Sequence, residues 1–239
     1  MHIEDIAYEV DGIEMVGHLA YDDAEKGKRP TVLLSHEGPG LDDHVKGRAE
    51  RLAGMGYCAF ALDYHGGGVA IPDFQEMMAR LGALMADPGA TRRRGLAGLD
   101  VLVDRPQADA GRVAAIGYCF GGTMSLEIGC AGADVQAIVG FHPGIGGGRT
   151  DLANIKGSVL MCLGTEDPFV PLEERLAWER DMAAAGVADW QLDLYGGVGH
   201  SFTNKDAEAL GMPGIKYDKT ADERSWASML RLFAETIDA

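Results

Sequence analysis

"RVAAIGYCFGG", residues 112–122, joins an apolar run to a segment of helical periodicity. The apolar half predicts a short buried strand, and the residues after Cys119 predict the start of a helix. Gly117 and Gly121 carry no side chain, so the strand and the helix can approach closely on either side of Cys119. Cys119 is therefore either a small core residue at a tight turn or a nucleophile held up to a substrate.

Apolar runs and helix-period segments alternate along the rest of the chain. "IAYEV" and "EMVGHLAY", joined by Asp11–Gly12, predict an opening antiparallel hairpin. Further strands are predicted at residues 31–36, 57–64, 112–118, 135–141, 158–164 and 190–195, with helices between them and a last helix over about 221–237. Short unbroken apolar strands separated by helices indicate a mostly parallel sheet covered by helices on both faces.

The same pattern bears on domain organisation. We predict one α/β domain over residues 1–239, and the short span from residue 141 to residue 158 leaves little room for a large cap. The methionines at 77, 78 and 85 could line a pocket, but a methionine stripe at helical spacing favours a place in the core.

Composition and charge limit the partners of the protein. A net charge of −16 argues against nucleic acid, because phosphates must be met by clustered lysine and arginine. The four cysteines show no C-x-x-C spacing, which favours reduced, buried thiols. The chain opens with no charged-then-apolar leader, and no apolar run approaches the roughly 18 residues of a membrane span. We therefore expect a cytoplasmic protein without membrane contact, and its oligomeric state is left open.

Three candidate catalytic residues each follow a predicted strand: Cys119, Asp167 in "GTEDPFVP" and His200 in "GVGHSF". Open α/β sheets place their ligand sites at the carboxyl ends of strands. The order nucleophile, acid, histidine is that of α/β-hydrolases, and residues 117–121 fit G-x-nucleophile-x-G with Cys in place of Ser. Singly, the three could be a core thiol, a turn cap and a structural histidine. Together they predict a triad in which His200 moves protons and Asp167 orients it.

Backbone groups complete the predicted site. The helix after Cys119 directs its positive end at the sulfur, which favours the thiolate. The N–H of Phe120 and that of Gly38, in the loop after "TVLLSH", are expected to form an oxyanion hole. No cofactor or metal is predicted, because "HEGPG" lacks the second histidine of H-E-x-x-H and no glycine cluster fits a dinucleotide fingerprint.

The segments "GYCFGG", "GTEDPFVP", "GHSF" and "HEGPGL", with "AERLAGMGYCAFALDYHGGG", resemble the dienelactone hydrolases (carboxymethylenebutenolidases) of the α/β-hydrolase fold over nearly the whole chain. The resemblance implies Cys119 as the nucleophile, His200 as general base and acid, and Asp167 as its orienting carboxylate. It also implies that Glu37 hydrogen-bonds the resting thiol and then helps to remove its proton. A thiol that is neutral at rest is protected from oxidation.

One departure from the family bears on the substrate. Dienelactone hydrolases hold a substrate carboxylate with arginines, one of them four residues after the catalytic histidine, where this chain has Asn204. An amide cannot form the bidentate charged contact of a guanidinium. We therefore expect hydrolysis of a neutral or differently charged lactone or small ester through a thioester. The expected substrate contacts are Phe141, His142, Ser201 and Asn204, with Arg80 and the run Arg92–Arg94 as candidates for the other arginine.

Two other functions stay open. An acyltransferase or a thiol peptidase could use the same frame, since one scaffold hosts many reactions. A non-catalytic ligand-binding or sensing module with a reactive cysteine is the third alternative. The complete Cys–His–Asp–Glu set argues against it, because binding alone does not require all four.

Overall fold

Eight strands form one sheet in the order β1-β2-β4-β3-β5-β6-β7-β8 in the computed structural model, which describes residues 1–146 and 151–238. β1 and β2 form the predicted antiparallel hairpin, β2 joins β4 antiparallel, and the neighbours from β4 to β8 run parallel. The mostly parallel sheet is therefore confirmed. The strands are β1 His2–Val10, β2 Ile13–Tyr21, β3 Arg29–Ser35, β4 Cys58–Leu62, β5 Ala108–Tyr118, β6 Ala137–Phe141, β7 Ser158–Gly164 and β8 Trp190–Tyr195.

The described residues form six α-helices, five of them between strands and one after β8. They are α1 Asp43–Ala53, α2 Phe74–Ala86, α3 Pro88–Val103, α4 Phe120–Cys130, α5 Leu172–Ala185 and α6 Lys219–Thr236. Four of them begin after an aspartate whose carboxylate accepts a hydrogen bond from a free backbone N–H of the first turn. These caps are Asp42, Asp73, Asp87 and Asp218.

Helices cover both faces of the sheet, which explains why its central strands are apolar without alternation. On β3, Leu33 packs into one core, with buried residues of α3, α4 and α5. Its neighbours Val32 and Leu34 pack into the opposite core, with residues of α1 and α6. Because successive side chains of a strand point to opposite faces, residues 31–35 of β3 are all buried.

The parallel strands bring the candidate residues to one edge of the sheet. Glu37 follows β3, Cys119 follows β5, Asp167 follows β7 and His200 follows β8. Since parallel strands end on the same side, residues more than 160 positions apart in sequence, such as Glu37 and Ser201, come into contact there.

The structure bears on two further expectations, the place of the α2 methionines and the span between β6 and β7. The core role expected for the methionines holds for Met77, which is buried, and is wrong for Met78 and Met85, which are exposed on α2. Between β6 and β7, the described residues contain one short 3₁₀ turn, Leu152–Asn154, and residues 147–150 lie outside the described residues.

Candidate active site

Cys119 occupies the sharp turn between β5 and α4. Its backbone has φ 53° and ψ −123°, a conformation that non-glycine residues rarely adopt. A Cβ at Gly117 would lie 2.1 Å from the Gly121 carbonyl oxygen, and a Cβ at Gly121 would lie 2.2 Å from that of Ser35. At both positions the backbone of another residue lies too close to leave space for a side chain, so both residues must be glycine. The thiol of Cys119 is partly exposed and lines a cavity.

His200 and Asp167 meet beside this turn. The Nδ1–H of His200 donates to Oδ2 of Asp167 over 2.8 Å, and both side chains are buried. The other carboxylate oxygen, Oδ1, accepts the N–H of Phe169 at 2.9 Å. The backbone of His200 is held by the Gly214 carbonyl at 2.8 Å and by the Lys216 N–H at 3.1 Å. The imidazole is thus fixed in one tautomer and one orientation.

The charges around His200 favour its protonated form. Burial disfavours the imidazolium, but the negative charge of Cys119 and the hydrogen bond to Asp167 outweigh it and raise the pKa of His200 to about 10. Cys119 is close enough to His200 to raise its pKa, yet Nε2 has no hydrogen-bond partner of good geometry within the described residues. These charges favour transfer of the thiol proton to Nε2, which leaves a thiolate beside an imidazolium.

Two backbone N–H groups border the same cavity. Phe120 is the first residue of α4, and Gly38 lies in the loop after β3. Among the described residues, neither N–H donates a hydrogen bond. Gly121 packs against the carbonyls of Ser35 and His36, so the turn at Cys119 and the loop with Gly38 lie side by side. This is the arrangement expected for two donors that share one oxyanion.

Glu37 lies in the cavity wall as a buried carboxylate. Its Oε1 accepts from the hydroxyl of Ser201 at 2.9 Å, and its Oε2 accepts from the amide of Asn204 at 2.5 Å. Burial raises the pKa of Glu37, although both hydrogen bonds favour the ionised form. The contact implied by the family resemblance is not made, since no hydrogen bond joins Glu37 to Cys119 in the described part of the chain.

Three of the four expected substrate contacts do not reach the cavity, and only Ser201 lines it. Phe141 ends β6 and stacks on Tyr118 in the core. His142 is fully buried; its Nδ1 accepts the Cys119 N–H at 3.1 Å, and its Nε2 bonds the Thr203 hydroxyl at 2.8 Å. Asn204 is turned away by its bond to Glu37. These three residues therefore hold the segments around the catalytic residues in place and do not form the surface of the cavity.

The cavity itself has a volume of about 970 Å³ and contains Cys119, Glu37 and His200. Much of its wall comes from α2, whose methionines were considered for a pocket in the sequence analysis but were assigned by preference to the core. Apolar residues also stand at positions of α2 that are not buried in the core, namely Phe74, Met78 and Met85. This second set of apolar residues is the sequence signal that could have placed α2 at the site. The cavity-lining residues of α2 are Phe74, Met77, Met78, Leu81, Leu84 and Met85.

Arg92 is the member of the basic run that reaches the cavity. It pairs with Glu127 at 2.8 Å and with Asp151, so its charge is neutralised inside the protein. Arg80 instead pairs with Glu76 at 2.6 Å on α2 and does not line the cavity.

The described residues offer neither a metal-binding cluster nor a helix that could span a membrane. Within residues 1–146 and 151–238, no group of three or more His, Cys, Asp or Glu side chains is arranged to hold a metal ion. No described helix combines the length and the apolar character needed to cross a membrane.

Comparisons with known proteins identify the family to which the chain is similar. The model of the "Dienelactone hydrolase family" matches residues 16–237. A protein of Aquifex aeolicus named "Putative carboxymethylenebutenolidase" is 25% identical, covering 95% of this chain and 96% of its own. The crystal structure of the dienelactone hydrolase-like promiscuous phosphotriesterase P91, from metagenomic libraries, is 38% identical with a TM-score of 0.94 over 98% of both chains. A structure named m3DLH is 42% identical with a TM-score of 0.92, covering 99% of this chain and 98% of its own.

Proposed function

The chain belongs to the dienelactone hydrolase family and is a hydrolase of ester bonds, and from that premise we propose that Cys119 is its nucleophile toward carboxylic esters or lactones. One observation carries the proposal: Cys119 stands at a strained turn in the same cavity as His200, whose Nδ1 is tied to Asp167. A reactive sulfur, a base and an orienting carboxylate are what nucleophilic catalysis requires.

In the first half-reaction, Nε2 of His200 takes the proton of the Cys119 thiol as the sulfur attacks the carbonyl carbon. The carbonyl oxygen becomes an oxyanion, which the N–H groups of Phe120 and Gly38 stabilise. When the tetrahedral intermediate collapses, the C–O bond breaks and His200 returns the proton to the leaving alkoxide. An ester loses its alcohol at this step, whereas a lactone opens and keeps its hydroxyl. A thioester on Cys119 is left.

In the second half-reaction, His200 takes a proton from water, and the resulting hydroxide attacks the thioester. The carbon–sulfur bond breaks, the acid is released, and the proton on His200 restores the thiol. Throughout, Asp167 holds the imidazole in the tautomer whose Nε2 faces the cavity and stabilises it when charged. No cofactor takes part in the proposed cycle.

Glu37 is a second group that could take the thiol proton. Its raised pKa favours proton uptake, but Ser201 and Asn204 hold both of its oxygens. We assign the proton transfer to His200, and we assign to Glu37 the positioning of Ser201 in the cavity wall.

The proposed substrate is neutral at the end that enters the cavity. Asn204 stands where the family has an arginine and is bonded to Glu37. Arg92 is engaged by Glu127 and Asp151. A substrate carboxylate would therefore have to displace a carboxylate already in place.

Hydrolysis of p-nitrophenyl acetate, a dienelactone and neutral lactones by the wild type and Cys119→Ala tests this function. We expect activity with neutral members that is lost in Cys119→Ala, and trapping of the acyl group on Cys119 by mass spectrometry. Activity that survives in Cys119→Ala would remove Cys119 from the chemistry. The peptidase and acyltransferase alternatives predict, respectively, cleavage of peptide amides and partition of the acyl group to an added alcohol or amine.

Phosphotriester hydrolysis is a second candidate, favoured by the 38% identity to a protein described as a promiscuous phosphotriesterase. A phosphotriester is neutral, as the cavity favours, and its phosphoryl oxygen could use the same two N–H donors. Release of p-nitrophenol from a dialkyl p-nitrophenyl phosphate, dependent on Cys119, would support it. A sulfur-bound phosphoryl group that accumulates would show attack without turnover.

A further inference from the structure

We propose that the cavity selects neutral esters or lactones that carry an extended apolar chain, and that this chain lies against α2. The inference rests on the proposed ester hydrolysis and adds to it the class of substrate. It stands on the exposed apolar wall, the volume and the charge of the cavity.

The wall of the cavity exposes large apolar side chains to solvent. Phe74, Met78 and Met85 of α2 are exposed and line the cavity, and Phe169 and Leu210 are exposed and line it from other segments. Contiguous exposed apolar surface is rare on soluble proteins unless something binds there. Because these side chains surround the space that contains Cys119, a substrate chain in that space would cover them.

The volume of the cavity also exceeds what a small ester needs. At about 970 Å³ it is at the upper end of the roughly 300–1,000 Å³ usual for ligand sites, and an acetyl group would leave most of it empty. Methionine side chains are unbranched and flexible, so Met77, Met78 and Met85 can close around chains of different shape.

The charges lining the cavity disfavour an acidic chain. Arg92 is the only lysine or arginine among the described lining residues, and Glu127 and Asp151 already neutralise it. An apolar chain needs no such partner, whereas a terminal carboxylate would lose its hydration and find no unpaired lysine or arginine among the described lining residues.

A series of neutral esters of increasing length tests the inference. Two series are used: p-nitrophenyl esters of C2 to C8 acids, and C2 to C8 alkyl acetates, so that a chain on either side of the ester is detected. Full burial of one methylene is worth about fourfold in affinity. For a groove open on one side, we expect kcat/KM to rise at least about tenfold over four methylenes in one series. The p-nitrophenyl monoester of glutaric acid should be at least about tenfold slower than the valerate.

Met78→Gln and Met55→Gln form a matched pair of variants. Met78 is 46% exposed and lines the cavity, whereas Met55 is 45% exposed and lies outside it. Met78→Gln should flatten the length dependence, and Met55→Gln should change neither the length dependence nor the acetate rate. A flat profile in both series, or equal effects of the two variants, would overturn the inference while Cys119-dependent acetate hydrolysis still stood. Absence of any Cys119-dependent hydrolysis would instead reject the proposed function.

Different contacts carry a second inference: the hydroxyl of Tyr64 positions the Gly38 N–H, and Tyr64 is in this sense a positioning residue. Tyr64 is fully buried after β4, and its hydroxyl donates to the Glu37 carbonyl at 2.9 Å, shared with that of His36 at 3.1 Å. The Glu37 carbonyl and the Gly38 N–H belong to one planar trans peptide, so fixing the oxygen on one side directs the N–H to the other.

The next residue extends this support. Nε2 of His65 contacts the Gly38 carbonyl at 2.9 Å, so Tyr64 and His65 together hold three successive carbonyls of residues 36–38. The loop that carries Tyr64 and His65 is anchored by Asp63, whose carboxylate accepts the N–H groups of His65, Gly66 and Gly68. The orientation of the Gly38 N–H, the proposed oxyanion donor, is thus set by residues just after the end of β4.

Tyr64→Phe removes this hydroxyl alone, and Tyr118→Phe is its control. Tyr118 is also fully buried, but its hydroxyl has no partner among the described residues. With an ester substrate, Tyr64→Phe should lower kcat about tenfold or more with KM within twofold, since loss of one oxyanion donor costs about 10²–10³. Affinity for a trifluoromethyl ketone, which forms a tetrahedral adduct, should fall in parallel, and 3-fluorotyrosine at position 64 should retain kcat.

Unchanged kcat in Tyr64→Phe, or equal losses in the two Phe variants, would overturn the positioning role. This result would leave ester hydrolysis by Cys119 intact, so it is distinct from failure of the proposed function. A urea unfolding midpoint for each variant separates loss of orientation from loss of fold.

Discussion

Gly121→Ala is expected to destabilise the protein by about 3 kcal/mol or more, because the turn at Cys119 has no space for a methyl group. The added Cβ would lie 2.2 Å from the Ser35 carbonyl oxygen and 2.4 Å from that of His36, well inside the 3.4 Å at which ordinary contact begins. Both obstacles are backbone atoms. β3 is paired with β4 on one side and β5 on the other, so it cannot move away without breaking a ladder.

Gly47→Ala is the matched control for this substitution. Gly47 lies within α1 and has nothing within 4 Å of its added Cβ. There the same methyl group should stabilise the protein by about 1 kcal/mol through helix propensity. The two variants thus carry one chemical change with opposite expected signs.

Urea unfolding followed by circular dichroism measures both effects. At an unchanged m-value, the Gly121→Ala midpoint should fall and the Gly47→Ala midpoint should rise. In a chain of this size, the Gly121→Ala effect corresponds to a fall of about 6–12 °C in Tm. A Gly121→Ala midpoint equal to that of the wild type would refute the steric reasoning and, with it, the assigned geometry of the turn.

Three further outcomes are expected. Cys119→Ala removes a negative charge beside His200, so the pKa of His200 should fall from about 10, as NMR titration of its ring protons would show; an unchanged titration would mean that the thiol does not act on it. In the folded protein the pKa of His200 lies above its ordinary value of 6.5. The stabilisation by protonated His200 is therefore fully present below pH 6.5 and is lost as pH rises through 10. Over that range the difference in unfolding free energy between wild type and Cys119→Ala should shrink. Asp167→Asn should lower kcat about 10⁴-fold with little change in KM, while Asp189→Asn at an exposed position should have no effect; similar rates in all three proteins would remove Asp167 from the triad.

The order and type of the elements were predictable from the chain. Apolar runs of five to nine residues next to helical periods predicted the strands and helices, and α5 and β8 begin and end where the pattern placed them. The reason is local: a strand buried on both faces must be apolar throughout, and an aspartate before a helix caps it. The loops before α2 were harder to predict, because Asp63 organises them by accepting the N–H of Val16 in β2 and those of three residues of the loop, His65, Gly66 and Gly68.

The candidate triad was predictable for the same reason, whereas its surroundings were not. Cys119, Asp167 and His200 each follow a strand, and a parallel sheet brings strand ends to one edge. Asn204 and His142 also lie beyond strand ends, yet neither lines the cavity. Asn204 is hydrogen-bonded to Glu37, and His142 accepts the N–H of Cys119. Periodicity could not show which hydrogen bond each polar group would make.

An α/β chain with a cysteine at a glycine-bounded turn could be predicted from the residues alone, because periodicity and steric limits act between neighbours in the chain. Three features were visible only in the folded chain: α2 forms a wall of the cavity, Glu127 and Asp151 neutralise Arg92, and Tyr64 holds the Glu37 carbonyl. Each of these depends on atoms distant in sequence, and their distances follow from how the layers pack.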